Sequence, residues 1–123
     1  MTFLRHTVRF SLFLLAIIAA TPTSQAMAHA IVLTASPTLN SIVQGSSTIV
    51  ELKFNSRIDH SHSRLALIKA DGPTVNLLLD QDTEAHILRS TASNLIAGEY
   101  RVRWQVLSVD GHITRGDINF TVQ

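Results

Sequence analysis

From Tyr100 to Val122 the chain alternates between apolar and polar residues. Tyr100, Val102, Trp104 and Val106 share one parity, Arg101, Arg103 and Gln105 the other, and Ile118, Phe120 and Val122 repeat the pattern on the way out. A period of two marks a strand with one buried face. Asp110-Gly111, between the two runs, predicts a hairpin turn. The same period holds from Thr48 to Phe54, with Val50, Leu52 and Phe54 on one face and Ile49, Glu51 and Lys53 on the other, so Glu51 is expected to face outward.

Shorter apolar runs supply further strands at Ile31 to Thr34, Leu65 to Ala70, Val75 to Leu79 and His86 to Ser90. Pro37 ends the first because it has no N–H to give a ladder. Asp71-Gly72-Pro73 reads as a turn, Asp80 to Glu84 as an acidic loop, and the polar stretch Asn55 to Arg64 as a loop with at most one helical turn. Seven short strands separated by turns predict an all-β sandwich or partly closed barrel. Leu95, with Gly98 two residues before Tyr100, resembles the tyrosine corner of Greek-key sandwiches; the alternative is that Tyr100 is simply the first core aromatic of its strand. Trp104 shares the buried parity and reads as a core anchor.

The first 28 residues follow a different logic. Arg5, His6 and Arg9 precede an apolar run from Phe10 to Ala20 broken only by Ser11, and a polar stretch then leads to Ala26-Met27-Ala28. That order predicts a secretory signal peptide over 1–28, its apolar core too short to span a bilayer. Cleavage after Ala28 would place His29 at a new N-terminus. Cleavage after Ala26 would begin Met27-Ala28-His29, and cleavage after Ala30 would remove His29.

Residues 29–123 suffice for one domain. Of the ten Lys and Arg, Arg5 and Arg9 precede His29, leaving eight against nine acidic residues and a formal charge of −1. A nucleic-acid footprint is not expected from that balance. The chain has no cysteine, so no disulfide can brace it, and its two methionines, Met1 and Met27, both precede His29. Thiolate and thioether metal chemistry is thereby excluded from 29–123, and with it a blue-copper centre.

Nitrogen and oxygen donors remain. An N-terminal histidine offers two at once, because its α-amine and imidazole close a chelate ring on one ion, and both groups can shed protons near neutral pH for a tightly held metal. With the His112 imidazole and the Asp110 carboxylate the set becomes three nitrogens and one oxygen, which suits tetragonal Cu(II). In extended backbone Asp110 and His112 would point to one side; a tight turn would break that geometry. The other histidines carry weaker signals. His60 and His62 beside Asp59 have spacing compatible with a second metal site, although a solvated loop is the commoner meaning, and His86 reads as a surface residue.

His29-Ala30, Ser36-Pro37, Val50-Glu51-Leu52-Lys53-Phe54, Gly98-x-Tyr100-x-Val102-x-Trp104, Ser108-Val109-Asp110-Gly111-His112 and Gly116-x-x-x-Phe120-x-Val122 together resemble the CopC copper-resistance family, most closely its shorter YobA-like members. The resemblance covers 29–123. It implies a small Greek-key β-barrel or immunoglobulin-like sandwich in the bacterial periplasm, not an enzyme, that binds one Cu(II) per chain through His29, Asp110 and His112. It further implies Glu51 as the glutamate near the copper and an inner-membrane transporter of the CopD kind as a partner. Some relatives hold Cu(I) on a methionine-rich loop; this chain has Lys69 to Val75 there without methionine, so that role does not carry over. Two other classes stay open: a metal-free sandwich serving as an interaction module, and a copper-dependent oxygenase.

Overall fold

The computed structural model describes residues 29–123; the predicted leader and its cleavage sites up to Ala28 lie outside them. Eight strands form two sheets that face each other: β1 (Val32–Ser36), β2 (Ser41–Val43), β3 (Thr48–Phe54), β4 (Ile58–Lys69), β5 (Thr74–Leu77), β6 (Ile87–Ala92), β7 (Gly98–Ser108) and β8 (Ile113–Val122). The smaller sheet runs β1-β3-β6 and the larger β2-β8-β7-β4-β5. All neighbours are antiparallel except β2, which runs parallel to the end of β8. The chain crosses between sheets at β1–β2, β2–β3, β3–β4, β5–β6 and β6–β7, an immunoglobulin-like sandwich rather than a closed barrel. There is no helix among the described residues.

The alternating residues do what their period demands. Val50, Leu52 and Phe54 of β3 and Val102, Trp104 and Val106 of β7 are buried between the sheets, together with Leu65, Leu67, Leu88, Ile118, Phe120 and Val122. Each such side chain contributes about 1.5–3 kcal/mol by leaving water. Trp104 ties the two layers together, its indole edge-on to Phe54 with centroids 5.4 Å apart. It fits because its β8 neighbour is Gly116, where a Cβ would stand 2.5 Å from the indole Cζ2. Tyr100 is a tyrosine corner: its hydroxyl donates to the Ile96 carbonyl at 3.0 Å and accepts from the Ile96 amide at 3.1 Å, while its ring stacks on Phe120.

Three details depart from the sequence expectation. There are eight strands rather than seven, the extra one being the three-residue β2. β6 starts one residue late and runs on to Ala92, and β5 ends at Leu77, although Leu79 still bridges to Ser90. Much of the expected polar loop from Asn55 to Arg64 is the first half of β4. That half looks unlike a strand because it bulges: Asp59 pairs with Leu107 and Arg64 with Gln105, leaving four residues opposite Val106. Side chains hold the bulge in place of a ladder. The Asp59 carboxylate accepts from the Ser61 amide and hydroxyl, and the Ser63 hydroxyl donates to the Asp59 carbonyl and accepts from the Leu107 amide.

Every histidine from 29 onward falls at one end of this sandwich. His29 precedes β1, His60 and His62 lie in the β4 bulge, His86 precedes β6, and His112 precedes β8, where the registers bring the start of β1, the end of β3 and the start of β6 together in one sheet and the β7–β8 hairpin beside the start of β4 in the other.

Candidate metal centre

The β7–β8 connection is a three-residue loop closed by Ser108 and His112. The Gly111 amide donates to the Ser108 carbonyl at 3.0 Å and the Ser108 amide to the His112 carbonyl at 2.9 Å. Gly111 has φ +86, a left-handed conformation that glycine adopts without the cost of a Cβ clash. This tight turn brings Asp110 and His112 together rather than parting them. One carboxylate oxygen of Asp110 accepts from the Ser108 hydroxyl and, at 3.1 Å, from the His112 amide; the other lies 3.1 Å from His112 Nδ1. These bonds, the Ser108 hydroxyl first, lower the Asp110 carboxyl to a pKa of about 2.

His29 reaches the same place from the other sheet. Ala30 is buried in the core, 1% exposed, and Asn55 clamps the next residue in both directions: its side-chain oxygen accepts from the Ile31 amide at 2.8 Å and its own amide donates to the Ile31 carbonyl at 3.0 Å. The His29 ring then meets the His112 ring edge-on, with centroids 5.1 Å apart. Asn55 is a positioning residue that the sequence reading passed over as the start of a loop; its one signal is an amide side chain directly after the last apolar residue of β3.

His29, Asp110 and His112 each offer a donor atom, and the three lie within 4.8 Å of one another with all three residues exposed. Donors about 2.0–2.1 Å from a shared ion stand about 2.9 Å apart at right angles and about 4 Å apart in line. The 3.1 Å separation of Asp110 and His112 is already that of adjacent ligands. The His29 donor, within 4.8 Å of both, would have to close on a shared ion, a movement open to an exposed side chain. The donor set, imidazole and carboxylate without sulfur, fits Cu(II).

The other candidates lie apart from this cluster. Glu51 faces outward from β3 and its carboxylate is held by Arg89, its register partner on β6, with Arg89 Nε at 2.7 Å. His60 is half-buried, with Nε2 2.6 Å from the Ile87 carbonyl, so it ties the bulge to the opposite sheet. His62 Nδ1 sits 2.9 Å from the Asp59 carboxylate and His86 Nε2 3.4 Å from Glu84. A surface hollow of about 490 Å³ is at the opposite end of the sandwich beside Asn40, Glu99 and Phe120.

Bonds from the Ser61 hydroxyl and then the His62 ring lower the Asp59 carboxyl to about 2. A carboxyl depressed in the folded state stabilises above its unfolded pKa of about 4 and loses that effect as pH falls toward the folded value. The stability advantage of the wild type over Asp59→Asn is therefore expected to be full above about pH 4 and to vanish near pH 2, as read from denaturation midpoints across that range. A constant difference would mean that the carboxylate does not hold the bulge.

The CopC domain model matches residues 32–123. The chain belongs to the CopC family. Among similar proteins, Protein YobA of Escherichia coli (strain K12) is 27% identical over 122 residues, covering 96% of both chains. Copper transport protein CutJ of Bacillus subtilis (strain 168) is 26% identical over 98 residues, 77% of this chain; the chain spans 18% of CutJ's length. The crystal structure of CopC from Methylosinus trichosporium OB3b superposes with a TM-score of 0.69 at 31% identity, covering 77% of this chain and 94% of that one.

Proposed function

We propose that the protein is a periplasmic carrier that binds one Cu(II) through the His29 amine and imidazole, the Asp110 carboxylate and the His112 imidazole, and buffers the ion or passes it on. The observation that carries this reading is the convergence of His29 with Asp110 and His112, which lie more than eighty positions apart in the sequence. Family membership supports it, as does the relative named for copper transport. The export leader of 1–28, cut after Ala28, supplies the amine. Exposure of all three residues suits a cargo that must be taken up and released, and a transporter of the CopD kind in the inner membrane is a suitable recipient. Membership of the CopC family supports a binding protein rather than an enzyme.

Protons govern release in this reading. Asp110, lowered to about 2, stays ionised and offers no proton to compete with the metal, so acid discharges the copper by protonating the imidazoles and the amine.

The test is the intact mass of the exported protein, taken under native conditions with and without one equivalent of Cu(II). A chain beginning at His29 that retains one copper is expected. A chain beginning at Ile31, or one beginning at His29 that holds no copper, would end this reading and leave a metal-free interaction module.

A further inference from the structure

The outward face of the larger sheet carries a charge pattern that the metal centre does not use. Register across β4, β7 and β8 sets three rows on it: Arg64, Gln105 and Arg115; Ala66, Arg103 and Asp117; Ile68, Arg101 and Asn119. All four arginines are exposed. Asp117 is the one acidic residue in these rows; Arg103 Nε donates to it at 3.0 Å, and Arg101 stands 3.8 Å away. Arg115 Nε donates to Gln105 at 2.8 Å, and among the described residues neither Arg64 nor Arg115 is ion-paired. Arg64, Arg103 and Arg115 also rim a shallow hollow of about 330 Å³. Half of the basic residues of 29–123 thus lie in these three rows with one acidic residue, while Glu99 and Asp59 flank the rows at the two ends of the same face.

We propose that this face docks on an anionic phospholipid bilayer, its guanidinium groups meeting lipid phosphates. A guanidinium fork matches phosphate oxygens in bidentate fashion, and antiparallel strands about 4.8 Å apart spread the four forks over a broad sheet surface. A protein partner fits this face less well. Stable protein interfaces are built around buried aromatic or aliphatic anchors; none of the nine residues in the three rows is an exposed large hydrophobe, and the one that adjoins them, Ile113, stands in the next row toward the hairpin. The domain as a whole carries −1, so an anionic membrane attracts it only when this face is turned inward. Docking is therefore oriented, and it brings the Ser108–His112 hairpin, at one end of the same two strands, to the bilayer surface.

The test is sedimentation of the exported protein with vesicles of phosphatidylglycerol mixed with phosphatidylcholine, and with phosphatidylcholine alone. Binding is expected only to the anionic vesicles and weakens as salt is raised. The double variant Arg64→Gln/Arg115→Gln is expected to bind about tenfold or more weakly. Lys53→Gln/Arg57→Gln, which removes the same charge elsewhere, is expected to bind as the wild type does. Thermal unfolding of both variants shows that the fold is kept. No binding to anionic vesicles at low salt, equal binding to both vesicle types, or equal loss in the two double variants overturns the proposal. Retention of an acidic protein by the four arginines without vesicle binding overturns it in favour of a protein partner.

Discussion

Replacing His112 with alanine is expected to lower Cu(II) affinity by about a hundredfold or more while leaving the thermal unfolding midpoint nearly unchanged. Outer-shell partners of metal ligands are worth about 10–100-fold in affinity, and an imidazole that binds the ion directly lies at or beyond the top of that range. His112 is exposed, and its backbone rather than its ring closes the hairpin, so the fold does not depend on the side chain. Asp110→Ala is expected to weaken binding less. It also removes the acceptor for the Ser108 hydroxyl and the His112 amide, so part of its effect comes through the turn. Asp110→Asn separates the two roles, since its side-chain oxygen can still accept those bonds while the negative charge is gone. Competition titration against a chromogenic chelator measures all three variants. Wild-type affinity in both His112→Ala and Asp110→Ala would remove the assignment.

Trp104→Ala is expected to destabilise the domain by about 3–5 kcal/mol, the usual cost of emptying a large aromatic site. That is a large share of the roughly 5–15 kcal/mol by which small domains are stable. The loss arises at one contact, where the indole bridges the sheets against Phe54 and lies over Gly116. Gly116→Ala should cost about 1–3 kcal/mol in the wild type, because a Cβ 2.5 Å from the indole forces the ring or the strand to shift. In the Trp104→Ala background the same change should cost little, since the space is then open and glycine in a strand is itself entropically unfavourable. A double-mutant cycle by chemical denaturation reads the coupling directly. Equal costs of Gly116→Ala in both backgrounds would show that the glycine serves the backbone rather than the tryptophan.

The strands that the sequence announced are those whose side chains alternate without help. β3, β7 and β8 bury each apolar residue assigned to the core, and the tyrosine-corner pattern at Leu95, Gly98 and Tyr100 is realised in two hydrogen bonds. The first half of β4 was illegible for a physical reason: at Asp59 to Ser63 hydroxyl and carboxylate groups replace the ladder, and such residues normally signal a loop. β2 is three residues long and exists only because the end of β8 offers it a free edge.

The candidate site was legible as chemistry but not as geometry. His29, Asp110 and His112 could be named from their donor types. Their meeting depends on Ala30 entering the core and on Asn55 clamping Ile31, and neither leaves a periodic trace. Extended backbone was the natural frame for Asp110-x-His112, yet a tight turn with a left-handed Gly111 joins the two side chains. Glu51 shows the converse, because pattern alone could not reveal that Arg89 stands opposite it and takes its charge.

The donors of the proposed centre come from residue 29 and from residues 110–112, so a bound ion would bridge the approach to β1 of one sheet and the final hairpin of the other. Such a bridge closes a loop around nearly the whole domain, and closures of that length restrict the unfolded chain most. In a chain without cysteine the cargo itself would act as a reversible cross-link. Loaded protein would then unfold later and resist proteases at its first strand, and an acceptor that withdrew the ion would also unfasten the segment that had presented it.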